Sequence, residues 1–402
     1  MKKLLKNIRA RFHNDIQEQI TQYKQESANI IEVYKNEICK MIEDNIIEII
    51  QKMEVDKYNV SNLIMTNNSD KMFFSCHYIS DFYLTFQYID TCKAATLCCE
   101  FNLNLPASQL FETGQETIQH VLRMRADIIQ KSVLYLSGGL LPDACAKCSY
   151  YKLDRWINKE QINYINLSMQ PAPCQCKCIY CMYARKKSSY NISDIDKYYS
   201  KVVDALSYAK SRGLISPNVR YQISSGEFAI HPYKIKLLDI IGNSNATFYT
   251  NCFKFDCHIL NNLINNPRSS INLSIDSGTS ETWHKIKGFN NFDTIINNLL
   301  KYKDNVKRGQ ITLKYIMLPG INNRNEDYMG VVKLMKILDV PTLTISRDVT
   351  SKYVSPNENN DKLITSTANM ISTLKNDGLE YRLNHFFNDE IEKIMEFVNC
   401  KC

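Results

Sequence analysis

The sequence predicts an α/β chain built on six parallel βα units, forming an open or closed barrel, over residues 159–350. A helical segment (1–57) and a small α+β module (58–158) precede the barrel, and C-terminal helices with a tail (351–402) follow it. Three observations lead there. Apolar strand-like runs alternate with helical stretches six times after residue 162, the pattern of parallel βαβ units. Residues 1–57 carry Ile, Leu and Met at helical spacing with no Gly or Pro. Cysteines crowd into a few short stretches instead of spreading evenly.

The N-terminal stretch "IIEVYKNEICKMIEDNIIEIIQKM" reads as an amphipathic helix that packs or dimerises. The opening "MKKLLKNIRARFHND" is basic but lacks the apolar centre of a signal peptide. No run of 18 apolar residues occurs, so no transmembrane segment and a cytoplasmic location are expected. The formal charge of +7 is mild for 402 residues, and no dense Lys/Arg block with interleaved aromatics is present. Nucleic acid is therefore not an expected partner. Residues 58–158 hold short strand-like pieces ("KMFFSCHYI", "FYLTFQYI"), a helix near "GQETIQHVLRMRADIIQKSVLYL" and the turn "SGGLLPDACAKCSYYK". The barrel strands read as "INYINLSM", "VRYQISS", "ATFYTN", "SINLSID", "ITLKYIML" and "PTLTIS".

Fifteen cysteines in a cytoplasmic chain point away from disulfides and toward metal, cluster or reactive thiols. Four fall within "QPAPCQCKCIYCMYARKK", Gln170 to Lys187. Cys174, Cys178 and Cys181 form C-x3-C-x2-C, with Cys176 between them. This loop follows the first barrel strand, at the face where such barrels build their sites. Three thiolates on one loop suit an iron–sulfur cluster, and three ligands for four irons leave one iron open for chemistry. A zinc ion would need Cys176 as fourth ligand, and alternate-residue spacing disfavours that.

C-x3-C-x2-C with Tyr180 before its last cysteine resembles the signature of the radical S-adenosylmethionine (SAM) superfamily. The resemblance implies a partial (β/α)6 TIM-like barrel and a 4Fe–4S cluster on Cys174, Cys178 and Cys181, with Cys176 a bystander. It also implies SAM on the open iron, cleaved reductively to a 5′-deoxyadenosyl radical. Other segments match in order. "QISSGEFAIHP" resembles the family's Gly-Gly-Glu motif, with Ser225 in place of the first Gly, then Gly226 and Glu227. The carboxylate of Glu227 is expected to meet the ammonium of SAM. "INLSIDSGTSETWHKIKG" resembles the family's fourth-strand segment. There Ser274 and Asp276 are expected to face the barrel, with Asp276 reaching ribose or substrate. Lys287 stands where many relatives have Arg, keeping a cation without the two-pronged geometry. "FYTNC" brings Asn251 and Cys252 to the barrel mouth, and "MLPGINNRNED" is expected to line the adenine pocket with backbone from Pro319 to Asn322.

Upstream, Cys145-x2-Cys148, Cys76, and Cys98 with Cys99 as its substitute resemble a SPASM-like auxiliary module, which in relatives normally follows the barrel. It implies a second 4Fe–4S cluster on Cys76, Cys98, Cys145 and Cys148, although zinc suits C-x2-C equally. Cys400 and Cys402 lie in a tail, where order is ordinarily poor.

The resemblance implies hydrogen-atom abstraction from a C–H bond of a peptide, a sugar or a nucleotide-sugar. A reductant such as flavodoxin or ferredoxin would supply the electron. Oxidation, cross-linking or epimerisation would follow, with Cys252 the candidate hydrogen donor for epimerisation. The rivals are a metal-stabilised binding or scaffold protein and a radical SAM methyl- or methylthiotransferase.

Overall fold

The computed structural model describes residues 25, 72–89, 92–98, 107–135, 145, 148, 150–167, 172–181, 192–224, 226–348 and 360–401. The chain divides into two compact units, 1–71 and 72–402. Gln25 is the one described residue of the first unit, so the helix expected over 1–57 lies outside the described residues, as do Cys99, Ser225 and Cys402.

The second unit starts with β1 (Phe73–Ser75), α1 (His77–Ser80), β2 (Tyr83–Ile89), β3 (Cys92–Thr96), β4 (Ala107–Gln109), α2 (Gly114–Tyr135) and β5 (Lys152–Asp154). The barrel follows as β6 (Ile162–Leu167), α3 (Ile192–Ser211), β7 (Ile215–Ile223), α4 (Lys234–Ile241), β8 (Asn245–Tyr249) and α5 (Cys257–Asn265). It continues through β9 (Ser270–Ser274), α6 (Ser280–Lys287), α7 (Phe292–Lys303), β10 (Ile311–Met317), α8 (Asn325–Leu338) and β11 (Thr342–Arg347). The C-terminal elements are α9 (Asn360–Asn376), β12 (Glu380–Asn384) and α10 (Asn388–Lys401).

One ten-stranded sheet runs β12-β11-β10-β9-β8-β7-β6-β2-β3-β4. All six expected barrel strands are present and parallel. Two findings extend the expectation. The C-terminal segment, read as helices and tail, contributes β12 as a seventh parallel strand beside β11. Moreover, β2 pairs in parallel with β6, and β3 and β4 follow antiparallel. The sheet is thus continuous across the boundary expected near residue 158, and β1 with β5 forms a separate two-stranded sheet.

Alternation explains how the sheet folds. On β10, Ile311, Leu313 and Tyr315 are buried while Thr312 and Lys314 are only partly so. Strands β8 and β9 likewise bury Phe248, Ile271 and Leu273 on their helix-covered face. Helices close that face. Asp256 caps α5 by accepting from the backbone N–H of His258 (3.0 Å) and Ile259 (3.1 Å). Trp283 of α6 and Tyr302 of α7 are at most 1% exposed. Each large side chain buried in this way contributes roughly 1.5–3 kcal/mol of transfer free energy. The opposite face of the sheet carries polar side chains and leads to the carboxyl end of the strands.

Candidate active site at the carboxyl end of the barrel

A cavity of about 250 Å³ opens at that end. Its wall includes Cys174, Cys176, Cys178, Tyr180 and Cys181 of the cysteine loop, Ser224 and Gly226 after β7, Tyr249, Thr250 and Asn251 at β8, Asn272 and Ser274 on β9, and Lys287. The strand order therefore gathers segments more than 110 positions apart in sequence.

Two glycines hold the loop in place. Gly226 has φ +54°, and a Cβ there would lie 2.7 Å from both the Cβ and the carbonyl oxygen of Ala172. The backbone N–H of Glu227 donates to the Pro173 carbonyl at 2.9 Å. On the other side, the N–H groups of Lys177 and Ile179 donate to the carbonyls of Lys287 (2.8 Å) and Ile286 (3.0 Å). Gly288, at φ +77°, completes this contact, since its Cβ would come within 2.9 Å of the Cβ of Lys177. The loop is thereby clamped between the end of β7 and the end of α6.

Inside the clamp, the Cys176 thiol is hydrogen-bonded to those of Cys174 and Cys178. Asn251 Nδ2 reaches to 3.3 Å from Cys176 Sγ and 3.7 Å from Cys174 Sγ. The hydrogen bond from Cys176, the Lys287 ammonium and the Tyr180 hydroxyl hold the Cys178 thiol down to about 6, against burial and the Asp276 carboxylate. A thiol so poised is largely thiolate at neutral pH, the form that binds soft metal. Cys176, expected as a bystander, is buried on the same wall. Spacing alone offered no signal for that.

Three expected site residues and one expected turn sit elsewhere than expected. Glu227 is fully buried and off the cavity wall. Its Oε1 accepts from Ala229 N–H (3.0 Å) and the Thr250 hydroxyl (2.8 Å), and its Oε2 from Asn251 N–H (2.6 Å). The carboxylate anchors the β8 turn and is not free for an ammonium. Asp276, also fully buried, adopts φ 50° and is not on the cavity wall. Its Oδ2 takes Lys287 Nζ and the Tyr180 hydroxyl at 2.5 Å each, and its Oδ1 accepts from Ile316 N–H at 2.7 Å. Cys252, with φ 55°, is wholly enclosed, and burial pushes its thiol up. It does not line the cavity, which removes the geometric basis for a hydrogen donor. The Pro319–Asn322 turn is likewise off the wall. There Asn322 donates from Nδ2 to the carbonyls of Asp276 and Ile316, at 2.8 Å each.

Ser274, Asn251, Gly226, Tyr180 and Lys287 do line the cavity, as do Asn272 and Thr250, which sequence reasoning missed. Asn272 precedes Ser274 by two on one strand, and that period was the available signal.

Upstream, the structure brings together three of the four expected auxiliary cysteines. Burial pushes Cys145 up to about 12, with the nearby Cys76 and Cys148 thiols adding to the shift. Burial also raises Cys76, and Cys148 again contributes. Cys148 N–H donates to the Cys145 carbonyl at 3.0 Å. Cys98 lies just past β3, with its N–H and carbonyl bonded to the Thr96 hydroxyl. Cys400 is exposed on α10. Among the described residues, no three His, Cys, Asp or Glu side chains close on a point that could hold a single metal ion. Among the described residues no helix is long and apolar enough to cross a membrane.

Residues 173–332, a span that includes the cysteine loop and strands β7 to β10, match the model of the radical SAM superfamily. Among solved structures, Streptococcus suis SuiB bound to S-adenosylmethionine is similar at 12% identity and TM-score 0.44, covering 70% of this chain and 58% of that one. This chain thus spans less than two thirds of that protein's length. SuiB bound to its precursor peptide SuiA gives 12% identity and TM-score 0.42, covering 81% and 75%. A radical SAM methyltransferase from Sphaerobacter thermophilus gives 14% and 0.39, covering 57% and 68%. No curated protein matches the chain.

Proposed function

We propose that this radical SAM domain holds a 4Fe–4S cluster on Cys174, Cys178 and Cys181 and binds SAM beside it. Its reaction would begin by hydrogen-atom abstraction from a C–H bond of a peptide, a sugar or a nucleotide-sugar. One observation carries the reading: three thiols at C-x3-C-x2-C spacing line a single cavity at the carboxyl end of a parallel barrel. When bound, the cluster and SAM supply the one-electron chemistry, with SAM as the source of a 5′-deoxyadenosyl radical.

The chain's own residues bind, orient and shield. The donor set fits the group, being soft thiols on one clamped loop with Cys178 already held near 6. Gly226 lets backbone approach the cavity without a side chain in the way. Ser224, Ser274, Thr250, Asn251 and Asn272 offer neutral donors and acceptors for the polar groups of SAM, and Tyr249 offers an aromatic face. Lys287 is neutralised by Asp276, so its part is to brace Tyr180 and the loop.

Cys76, Cys145 and Cys148, with Cys98 as the fourth thiol, are the residues that would hold a second cluster. Oxidation, cross-linking and epimerisation all remain within this proposal, as does electron supply by a flavodoxin or ferredoxin.

The test is anaerobic reconstitution of the full chain followed by dithionite and SAM. Formation of 5′-deoxyadenosine is expected, with about eight irons per chain if both sites fill and about four if only the barrel site does. A reconstituted protein with no iron–sulfur absorbance and no 5′-deoxyadenosine would return the chain to the scaffold reading.

A further inference from the structure

The cavity wall ends at β9, but the inner face of the sheet continues across β10, β11 and β12. Lys314 alternates with the buried Leu313 and Tyr315, which places it on that inner face. Register gives its neighbours. Lys314 lies opposite Ser274, a cavity residue, and on its other side opposite Thr344, which in turn lies opposite Arg382. On β12, Tyr381 and Leu383 pack against the core, so Arg382 shares the face of Lys314 and Thr344. With strands about 4.8 Å apart, Lys314 stands one strand from the cavity wall and Arg382 two strands farther.

Neither cation makes a hydrogen bond or ion pair through its side chain among the described residues. This contrasts with the other inward lysine, Lys287, which is paired with Asp276. Lys314 is only partly exposed, and burial pulls its ammonium below the ordinary lysine value, with Lys287 adding to that and Asp276 and Asp348 opposing it. Asp276 is already engaged by Lys287, Tyr180 and Ile316, and Asp348 acts on Lys314 without pairing with it. Keeping a half-buried cation without a partner costs free energy, which an incoming anion would recover.

We propose that Lys314 and Arg382, on either side of the Thr344 hydroxyl, receive an anionic group of the substrate, a carboxylate or a phosphate. Arg382 supplies a two-pronged donor and Lys314 a point charge, so together they hold such a group one to three strands from the cavity. That the bound molecule is the substrate rests on the proposed function. The binding site itself does not.

Titration calorimetry on the full-length protein separates the two sources of the anion, with phosphate and pyrophosphate in one arm and succinate and glutarate in the other. One arm is expected to saturate the wild type, and Lys314→Met and Arg382→Met each to weaken it about tenfold. Lys314→Arg should restore most of the affinity, while SAM binding to the reconstituted protein stays unchanged. Because no partner is orphaned, Lys314→Met should match or exceed the wild-type thermal midpoint. Equal anion affinity in Lys314→Met and wild type, or no binding in either arm, overturns the site. Anion binding without any 5′-deoxyadenosine formation would sink the proposed function and leave the site standing.

Discussion

Lys287 Nζ lies 2.5 Å from Asp276 Oδ2, with the two side chains 4% and 0% exposed. The Tyr180 hydroxyl joins both at 2.5 Å, so the end of β9, the end of α6 and the cysteine loop meet in one buried polar knot. Removing one partner leaves an uncompensated charge in a dry site. Lys287→Met or Asp276→Asn alone should cost about 3–5 kcal/mol, and the double Lys287→Met/Asp276→Leu clearly less than their sum. Chemical denaturation of the cofactor-free chain measures this. Additive losses in the double variant would show that the pair is not coupled.

The clamp on the cysteine loop depends on two positions that reject a Cβ. Gly226→Ala and Gly288→Ala should each lose about 1–3 kcal/mol and most of the iron retained after reconstitution, with far-UV circular dichroism preserved. Gly213→Ala is the control, since it shares a positive φ of 66° but has no atom within 4 Å of the new Cβ. It should cost about 1 kcal/mol and keep its iron. Equal iron in all three variants would argue against the clamp.

The four loop thiols should separate by role. Cys174→Ala, Cys178→Ala and Cys181→Ala are each expected to abolish iron at the barrel site, whereas Cys176→Ala keeps the visible absorbance of the cluster. Cys252→Ala should leave turnover and product stereochemistry unchanged, because that thiol is sealed away from the cavity. Loss of iron in Cys176→Ala alone would mean that the ligand set has been misassigned.

His231 predicts an acid weakness. It is 5% exposed, packs edge-on against Tyr199, accepts Tyr233 N–H at Nδ1, and burial pulls it down to about 4. Above pH 6.5 both folded and unfolded states hold it neutral, so it contributes no pH dependence. As pH falls from 6.5 toward 4, the unfolded state takes up the proton first and stability drops, by about 3 kcal/mol in all. His231→Asn keeps an acceptor for Tyr233 and should flatten this slope, whatever its effect on absolute stability. Denaturation midpoints from pH 7 to pH 4 that fall equally steeply in both proteins would count against it.

Much of the barrel was legible because each strand carries a strict two-residue alternation with one apolar face. β12 escaped because its residues Glu380 to Asn384 lie at the sheet edge and none is buried. The place of β2 also escaped, because its partner β6 lies about eighty positions away and no local pattern encodes a parallel neighbour. The cysteine loop was legible from spacing. The role expected for Asp276 rested on strand alternation and that for Cys252 on its place at the end of β8, but both have positive φ, which rotates the side chain off the extended strand pattern. The surroundings of Glu227 were not legible for another reason: two of its three donors, the Thr250 hydroxyl and the Asn251 N–H, come from the turn after β8 and lie 23 and 24 positions away.

The order of residues by itself determined a parallel α/β barrel and a loop of closely spaced thiols at one end, since apolar period and thiol spacing are local quantities. Which polar groups face the cavity was decided only by tertiary structure. A buried carboxylate goes wherever the folded chain supplies donors or a cation, and those come from other strands.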